Sequence, residues 1–205
     1  MNPKSTSPQT FIFFGPSGSG KGTQSELVIE YLKKLAPDIK TINIQTGQKF
    51  RDFSTQSNFT AHMTKEVMET GALMPEFLPI WMWTGMLIED FTGKEHLIFD
   101  GMARREHEAV VLDSALRFYK RENPIVVSIN VGDAWATERL LARKRLDDTE
   151  IEIKKRLTWY RENVLASINF FKNNPYYQFV EINGEQTIED VHKEILSKID
   201  IRINE

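Results

Sequence analysis

No cysteine occurs in the 205 residues of this chain, which excludes disulfide scaffolds, zinc ribbons, thiolate metal sites and cysteine nucleophiles. Long apolar runs are missing too. The most apolar stretch, Phe77 to Ile88, is interrupted by Pro79, Thr84 and Gly85 and bounded by Glu76 and Glu89, well short of the roughly 20 residues that a membrane span needs. Before the first glycines, Phe11 to Phe14 is the only apolar run, too short for the h-region of a signal peptide. Neither charge sign dominates: 26 Lys+Arg against 29 Asp+Glu give a formal charge of −3. Such a balance argues against broad nucleic-acid binding, so any anionic ligand must be met by local basic clusters. The expectation is a soluble, cytoplasmic protein with neither nucleic acid nor membrane as partner.

What is present is ordinary for a globular chain: 40% hydrophobic and 27% charged residues, in a length that suits a single domain over 1–205. Short runs rich in aromatic and β-branched residues predict strands at Thr10 to Phe14, Thr41 to Gln45, His96 to Phe99, Ile125 to Val131 and Tyr177 to Ile182. Most are apolar throughout rather than alternating, as strands buried on both faces of a parallel sheet are. Helical periods fall between them, at Lys21 to Leu35, Arg105 to Glu122, Ala134 to Arg145, Thr149 to Asn173 and Thr187 to Ile199. This alternation predicts an α/β fold of three layers, a five-stranded parallel sheet with helices on both faces. One interval, 46–92, has no strand. Its helical patterns at Gln48 to Phe53, Phe59 to Thr70 and Glu76 to Phe91 read as a helical insertion.

Gly15-Pro16-Ser17-Gly18-Ser19-Gly20-Lys21-Gly22-Thr23 lies between the first strand and the first helix. Glycines there let backbone N–H groups wrap a phosphate chain, the helix N-terminus adds its positive dipole, and Lys21 adds a point charge. Gly22 stands where the usual phosphate loop has Ser or Thr, and the hydroxyl comes at Thr23. The segment 139–161 is the second charge centre, carrying a net +4 and leaving −7 for the remainder. Asp147 with Glu150, or Thr149 with Glu152, forms a capping-box pattern that predicts two helices joined by a short arginine-bearing connection.

Four ordered motifs, Gly15 to Gln24, Thr46-Gly47-Gln48-Lys49-Phe50-Arg51, Asp100-Gly101-Met102-Ala103-Arg104 and Arg139 to Arg156, resemble those of adenylate kinases and related nucleoside monophosphate kinases in their short-lid form. The resemblance implies a P-loop NTPase-like fold and transfer of the ATP γ-phosphoryl group to AMP. It implies that Gly15, Ser17, Gly18, Ser19, Gly20, Lys21, Gly22, Thr23, Arg139 and Gln186 bind ATP. It implies equally that Thr46, Gly47, Arg51, Met74, Gly101, Arg104 and Glu108 hold the monophosphate, with 46–92 as its binding insertion. Lys21, Arg104, Arg143, Arg145 and Arg156 would neutralise the transferring group, with 139–156 as a short lid over ATP. Thr23 and Asp100 would hold Mg2+, which comes with ATP, through water; the long-lid members' cysteine-bound zinc has no counterpart here. The expected assembly is a monomer.

No general base is expected, because the acceptor is a phosphate oxygen already ionised at neutral pH. His62, His96, His107 and His192 are therefore read as surface or packing residues, and Trp81 and Trp83 as core and hinge packing. Three departures from the family pattern stand out. Ala103 replaces a proline that follows a cis peptide, so either Ala103 is trans with Arg104 displaced or the strain is kept. Gln48 replaces an aspartate. Glu108 replaces the glutamine that reads adenine; an ionised carboxylate only accepts hydrogen bonds, which suits guanine's two donors or cytosine's amino group. A GMP- or CMP-preferring kinase, a nucleotide-binding module with little turnover, and a kinase for a small non-nucleotide acceptor remain as alternatives.

Overall fold

A computed structural model describes residues 7–70, 72–143 and 148–199. Its strands are β1 (Thr10–Phe14), β2 (Thr41–Gln45), β3 (His96–Asp100), β4 (Ile125–Asn130) and β5 (Gln178–Asn183). All pair in parallel in the order β2-β3-β1-β4-β5. The helices are α1 (Lys21–Leu35), α2 (Thr46–Phe53), α3 (Phe59–Glu69), α4 (Phe77–Asp90), α5 (Glu106–Phe118), α6 (Asp133–Arg143), α7 (Glu150–Trp159), α8 (Leu165–Lys172) and α9 (Ile188–Lys198). The five-stranded parallel sheet expected from the sequence is thus the one observed.

Strand periodicity divides the core. Phe11 and Phe13 of β1 pack on one face with Val28 and Leu32 of α1 and Val191 and Ile195 of α9. Ile12 and Phe14 pack on the other with Leu112 of α5 and Phe171 of α8. Every residue of β1 is buried, because the central strand has helices on both sides and no solvent face. The helices α2, α3 and α4 lie between β2 and β3 in the chain, and Phe50, Leu78 and Met82 form a separate small cluster there with Met68 and Met74. These helices are therefore held partly by a core of their own. No helix among the described residues is long and apolar enough to cross a membrane.

Capping explains several boundaries. Asn58 accepts the Ala61 N–H at 2.8 Å to start α3. Thr149 and Thr187 accept from Glu152 and Asp190 to start α7 and α9. Two expectations require correction. Thr149 to Asn173 is interrupted by a π-helical turn at Tyr160–Val164, which apolar periodicity does not reveal. Trp83 is a core residue, as expected, but Trp81 is half exposed and meets Phe53 at 5.5 Å with the rings tilted by 60°; neighbouring tryptophans two apart on a helix cannot share one buried face.

His96 is a packing residue. It is fully buried at the start of β3, its Nδ1 accepts the Gln9 N–H at 2.8 Å, and its Nε2 has no partner among the described residues. Burial, and then the nearby Arg121 charge, lower its pKa to about 4. The unfolded chain takes up a proton near 6.5, so this histidine withdraws stability progressively as pH falls from 6.5 to about 4. Replacing it with Phe should flatten that part of the curve. Urea midpoints at pH 7, 5.5 and 4.5 would show this as a smaller acid-induced drop in the variant than in the wild type; equal drops would contradict it.

Candidate active site

The loop between β1 and α1 turns back on itself through left-handed glycines. Gly18 and Gly20 have φ values of 86° and 84°, a region that L side chains resist. At Gly18 a β-carbon would also come within 2.6 Å of the Ala136 carbonyl oxygen, so the loop lies directly against α6. No side chain caps α1. Its first-turn N–H groups, which have no acceptor within a helix, are left for an external anion, and the helix dipole adds positive potential.

The loop forms one wall of a cleft of about 620 Å³ at the carboxyl ends of the strands. The cleft joins Ser17, Gly18, Gly20, Lys21, Gly22 and Thr23 to Thr46, Gly47, Arg51 and Met74 of the α2–α4 region. Asp100, Gly101, Arg104 and Glu108 form its floor, and Arg139, Arg143 and Arg156 approach from α6 and α7. Gly15 lines a small adjoining pocket instead. Ser19 is buried in the loop and does not line the cleft, and neither does Gln186, whose amide donates to the Asn183 carbonyl at 2.9 Å and to Glu194 at 2.6 Å. Arg145 lies outside the described residues.

The floor is a desolvated charge cluster. Burial lowers the Lys21 pKa; Asp100 opposes that shift, and Arg104 and Arg143 add to it. Burial also lowers Arg104, against the attraction of Glu108 and Asp100. Asp100 is raised by burial, against Lys21 and Arg104. Lys21 and Arg104, partly desolvated on the cleft with Arg143 nearby, favour an incoming polyanion. Asp100 Oδ1 is buried without a hydrogen-bond partner among the described residues. An orphan carboxylate oxygen on a cleft that Thr23 also lines suits a hard divalent cation, and Mg2+ takes such oxygens directly or through water.

The outer arginines are each held by a neighbour. Asp148, whose side chain is fully buried, accepts from Arg143 Nε and Nη2 at 2.9 Å each and from Arg156 Nη2 at 2.8 Å. Arg51 donates to Gln48 Oε1 at 3.0 and 2.7 Å, and Gln48 in turn donates to Asp52. The departure at Gln48 thus retains an acceptor for Arg51. Arg139 lies 4.7 Å over the Trp135 ring, a cation–π contact.

At the third motif no cis peptide occurs among the described residues, and Ala103 takes φ 50°. A left-handed alanine costs about 1 kcal/mol, and with it Arg104 stays in the cleft, its Nε donating to the Gly101 carbonyl at 2.8 Å. The site also contains residues not foreseen from sequence. Asp148 is one, although an acid between Arg143 and Arg156 in a basic segment is a signal for a shared acceptor. Trp159, whose ring lies 5.5 Å from the Arg104 guanidinium, is one helical turn beyond Arg156, so the helix that brings one to the cleft brings the other.

Burial alone would raise the Asp148 pKa, but the hydrogen bonds and charges of Arg143 and Arg156 outweigh it and lower the group to about 2. Its stabilising contribution is complete above the ordinary 3.8 and is lost as pH falls toward about 2. Asp148→Asn should cost about 1–3 kcal/mol near neutral pH, measured by urea denaturation. The gap to wild type should narrow below pH 3.8; a gap that stayed constant on acidification would contradict the pairing.

Comparison with known proteins agrees with this geometry. The family model described as adenylate kinase matches residues 13–176. The chain is 32% identical over 191 residues to the adenylate kinase of Azobacteroides pseudotrichonymphae genomovar. CFP2, covering 91% of this chain and 95% of that one. It is 32% identical to the adenylate kinase of Leptospira biflexa serovar Patoc, covering 92% and 98%, and 29% identical to adenylate kinase 1 of a Nostoc strain, covering 90% and 95%. With the phosphate loop, Lys21, Asp100 and Arg104 and the paired outer arginines all on one cleft, and with this chain and its relatives covered almost end to end, this protein belongs to the adenylate kinase family of phosphotransferases.

Proposed function

We propose that this protein transfers the γ-phosphoryl group of ATP to AMP, giving two ADP. The observation that carries the reading is the single cleft in which the phosphate loop faces the Thr46–Arg51 helix across Lys21, Asp100 and Arg104. A passive nucleotide binder has no need of cations on both sides of a reacting phosphate. A kinase for a small non-nucleotide acceptor has no need of the α2–α4 helices.

In this reading ATP lies along the glycine loop, with Lys21 at its terminal phosphates and the α1 N-terminus beneath them. Arg139 on its Trp135 support lies at the nucleoside end. AMP occupies the other half, its phosphate met by Arg51 and Arg104 and its nucleoside by Thr46, Gly47 and Met74. An ionised oxygen of AMP attacks the γ-phosphorus in line, and the bond to the β-bridging oxygen breaks as ADP leaves. No proton needs to be moved. Lys21, Arg104, Arg143 and Arg156, with Arg145 expected to join them, neutralise charge on the equatorial oxygens. Bound Mg2+, held by Asp100 and Thr23 through water, would supply Lewis-acid charge neutralisation between the phosphates. The arginine-bearing junction of α6 and α7 then acts as a cover that excludes water and strengthens each charge contact.

Rates on AMP, GMP, CMP and UMP with ATP and Mg2+ test the assignment. AMP should be the preferred acceptor, and Lys21→Ala should lower kcat on it by about 10²-fold or more. A strong GMP preference would overturn AMP as acceptor. Undiminished transfer by Lys21→Ala, or nucleotide binding with no turnover on any monophosphate, would overturn the enzymatic reading.

A further inference from the structure

We propose that Glu108 is a positioning residue for Arg104 and not a reader of the acceptor base; the inference rests on the phosphotransfer reading above. The loop from β3 to α5 must bring the half-buried Arg104 guanidinium to the floor of the cleft with no rigid residue at 103. It does so with left-handed backbone at both Gly101 (φ 69°) and Ala103 (φ 50°). A loop of that kind persists only where its surroundings tie it down.

Glu108 provides the central tie. It is the third residue of α5, and its Oε2 accepts the Arg104 backbone N–H at 2.9 Å. This reaches one residue further back than the glutamate of an ordinary capping box, beyond the helix boundary and onto the residue whose side chain matters. Its other oxygen lies 3.6 Å from Arg105 Nη1. That nitrogen donates to the Met74 carbonyl at 2.6 Å, and Arg105 Nε lies 3.9 Å from Glu76. One carboxylate thus links the Arg104 loop to the start of α4. The Ser167 hydroxyl donates to the Ala103 carbonyl from α8, and the Trp159 ring supports the Arg104 guanidinium.

Accessibility separates the two roles. A side chain that reads a base must present free hydrogen-bonding atoms to it, whereas the Glu108 side chain is only 3% exposed and both of its oxygens face protein donors. Base reading by a carboxylate would also favour guanine, since a carboxylate only accepts. Positioning makes no distinction between bases. It requires only an acceptor of the right length, which glutamine supplies and alanine does not.

The test is steady-state kinetics on AMP and GMP, with calorimetric affinities for both, for wild type, Glu108→Gln, Glu108→Ala, Arg104→Ala and the double variant Glu108→Ala/Arg104→Ala. Glu108→Gln should keep kcat near wild type and leave the order of AMP and GMP unchanged. Glu108→Ala should lower kcat about tenfold and weaken acceptor binding while leaving KM for ATP unchanged. In the Arg104→Ala background the Glu108→Ala change should add little, because both act through one group. A purely structural role would instead weaken both substrates together and add fully to Arg104→Ala. A switch of base order in Glu108→Gln, or additivity in the double variant, would overturn the proposal. Should wild type turn over neither acceptor, the phosphotransfer reading fails. The calorimetric cycle for AMP then decides the positioning claim, additive affinity losses overturning it and non-additive losses supporting it.

Discussion

Lys21, Asp100 and Arg104 meet at the floor of the cleft under a constraint that the rest of the molecule has to satisfy. Each is half-buried, and the loss of solvent disfavours the charged form of each. Asp100 attracts Lys21, and Glu108 and Asp100 attract Arg104, so an incoming polyanion meets cations already held in place and stripped of part of their solvent. Holding such groups in place requires rigid supports, and the parallel sheet supplies them. β1 and β3 are hydrogen-bonded neighbours with Phe13 opposite Asp100, so the residues that follow them, the glycine loop and Gly101 to Arg104, emerge side by side at one edge of the sheet. That is where ligands bind in open α/β sheets.

The supports beyond the floor share one physical device. Each cation is oriented by a neutral or anionic partner: Gln48 for Arg51, Trp135 for Arg139, Asp148 for Arg143 and Arg156, and Trp159 for Arg104. Long basic side chains lose considerable rotamer freedom when a ligand fixes them. Partners that restrict them beforehand move that cost from binding to folding, which is preorganisation in thermodynamic terms. The ordering of the outer arginines about a fully buried Asp148 is the strongest instance.

Much of this was legible in the sequence, for identifiable reasons. Strands such as Phe11 to Phe14 are apolar without alternation because both faces are covered, and the glycine loop can be read from the φ values that its turn requires. Residues that act through long-range partners were less legible. Asp148 is an acid in a basic segment, but its spacing alone does not say which arginines it accepts from, five residues before it and eight after. The left-handed conformation of Ala103 has no signature at all, since alanine is compatible with any element and the ties that hold it come from Glu108 and Ser167, on α5 and α8. Trp81 could not be separated from Trp83 by hydropathy, because only the angular position on α4 distinguishes the buried from the exposed ring.

The central claim is that one cleft, with its cations between two nucleotide sites, accommodates donor and acceptor at once. The most direct measurement is calorimetric binding of a dinucleoside polyphosphate in which two adenosines are joined by a phosphate chain long enough to span both halves. The account predicts one molecule bound per chain, tighter than ATP or AMP alone because the second half binds intramolecularly, with both mononucleotides excluded by it. Binding no tighter than that of ATP, with AMP still free to bind, would contradict a shared cleft.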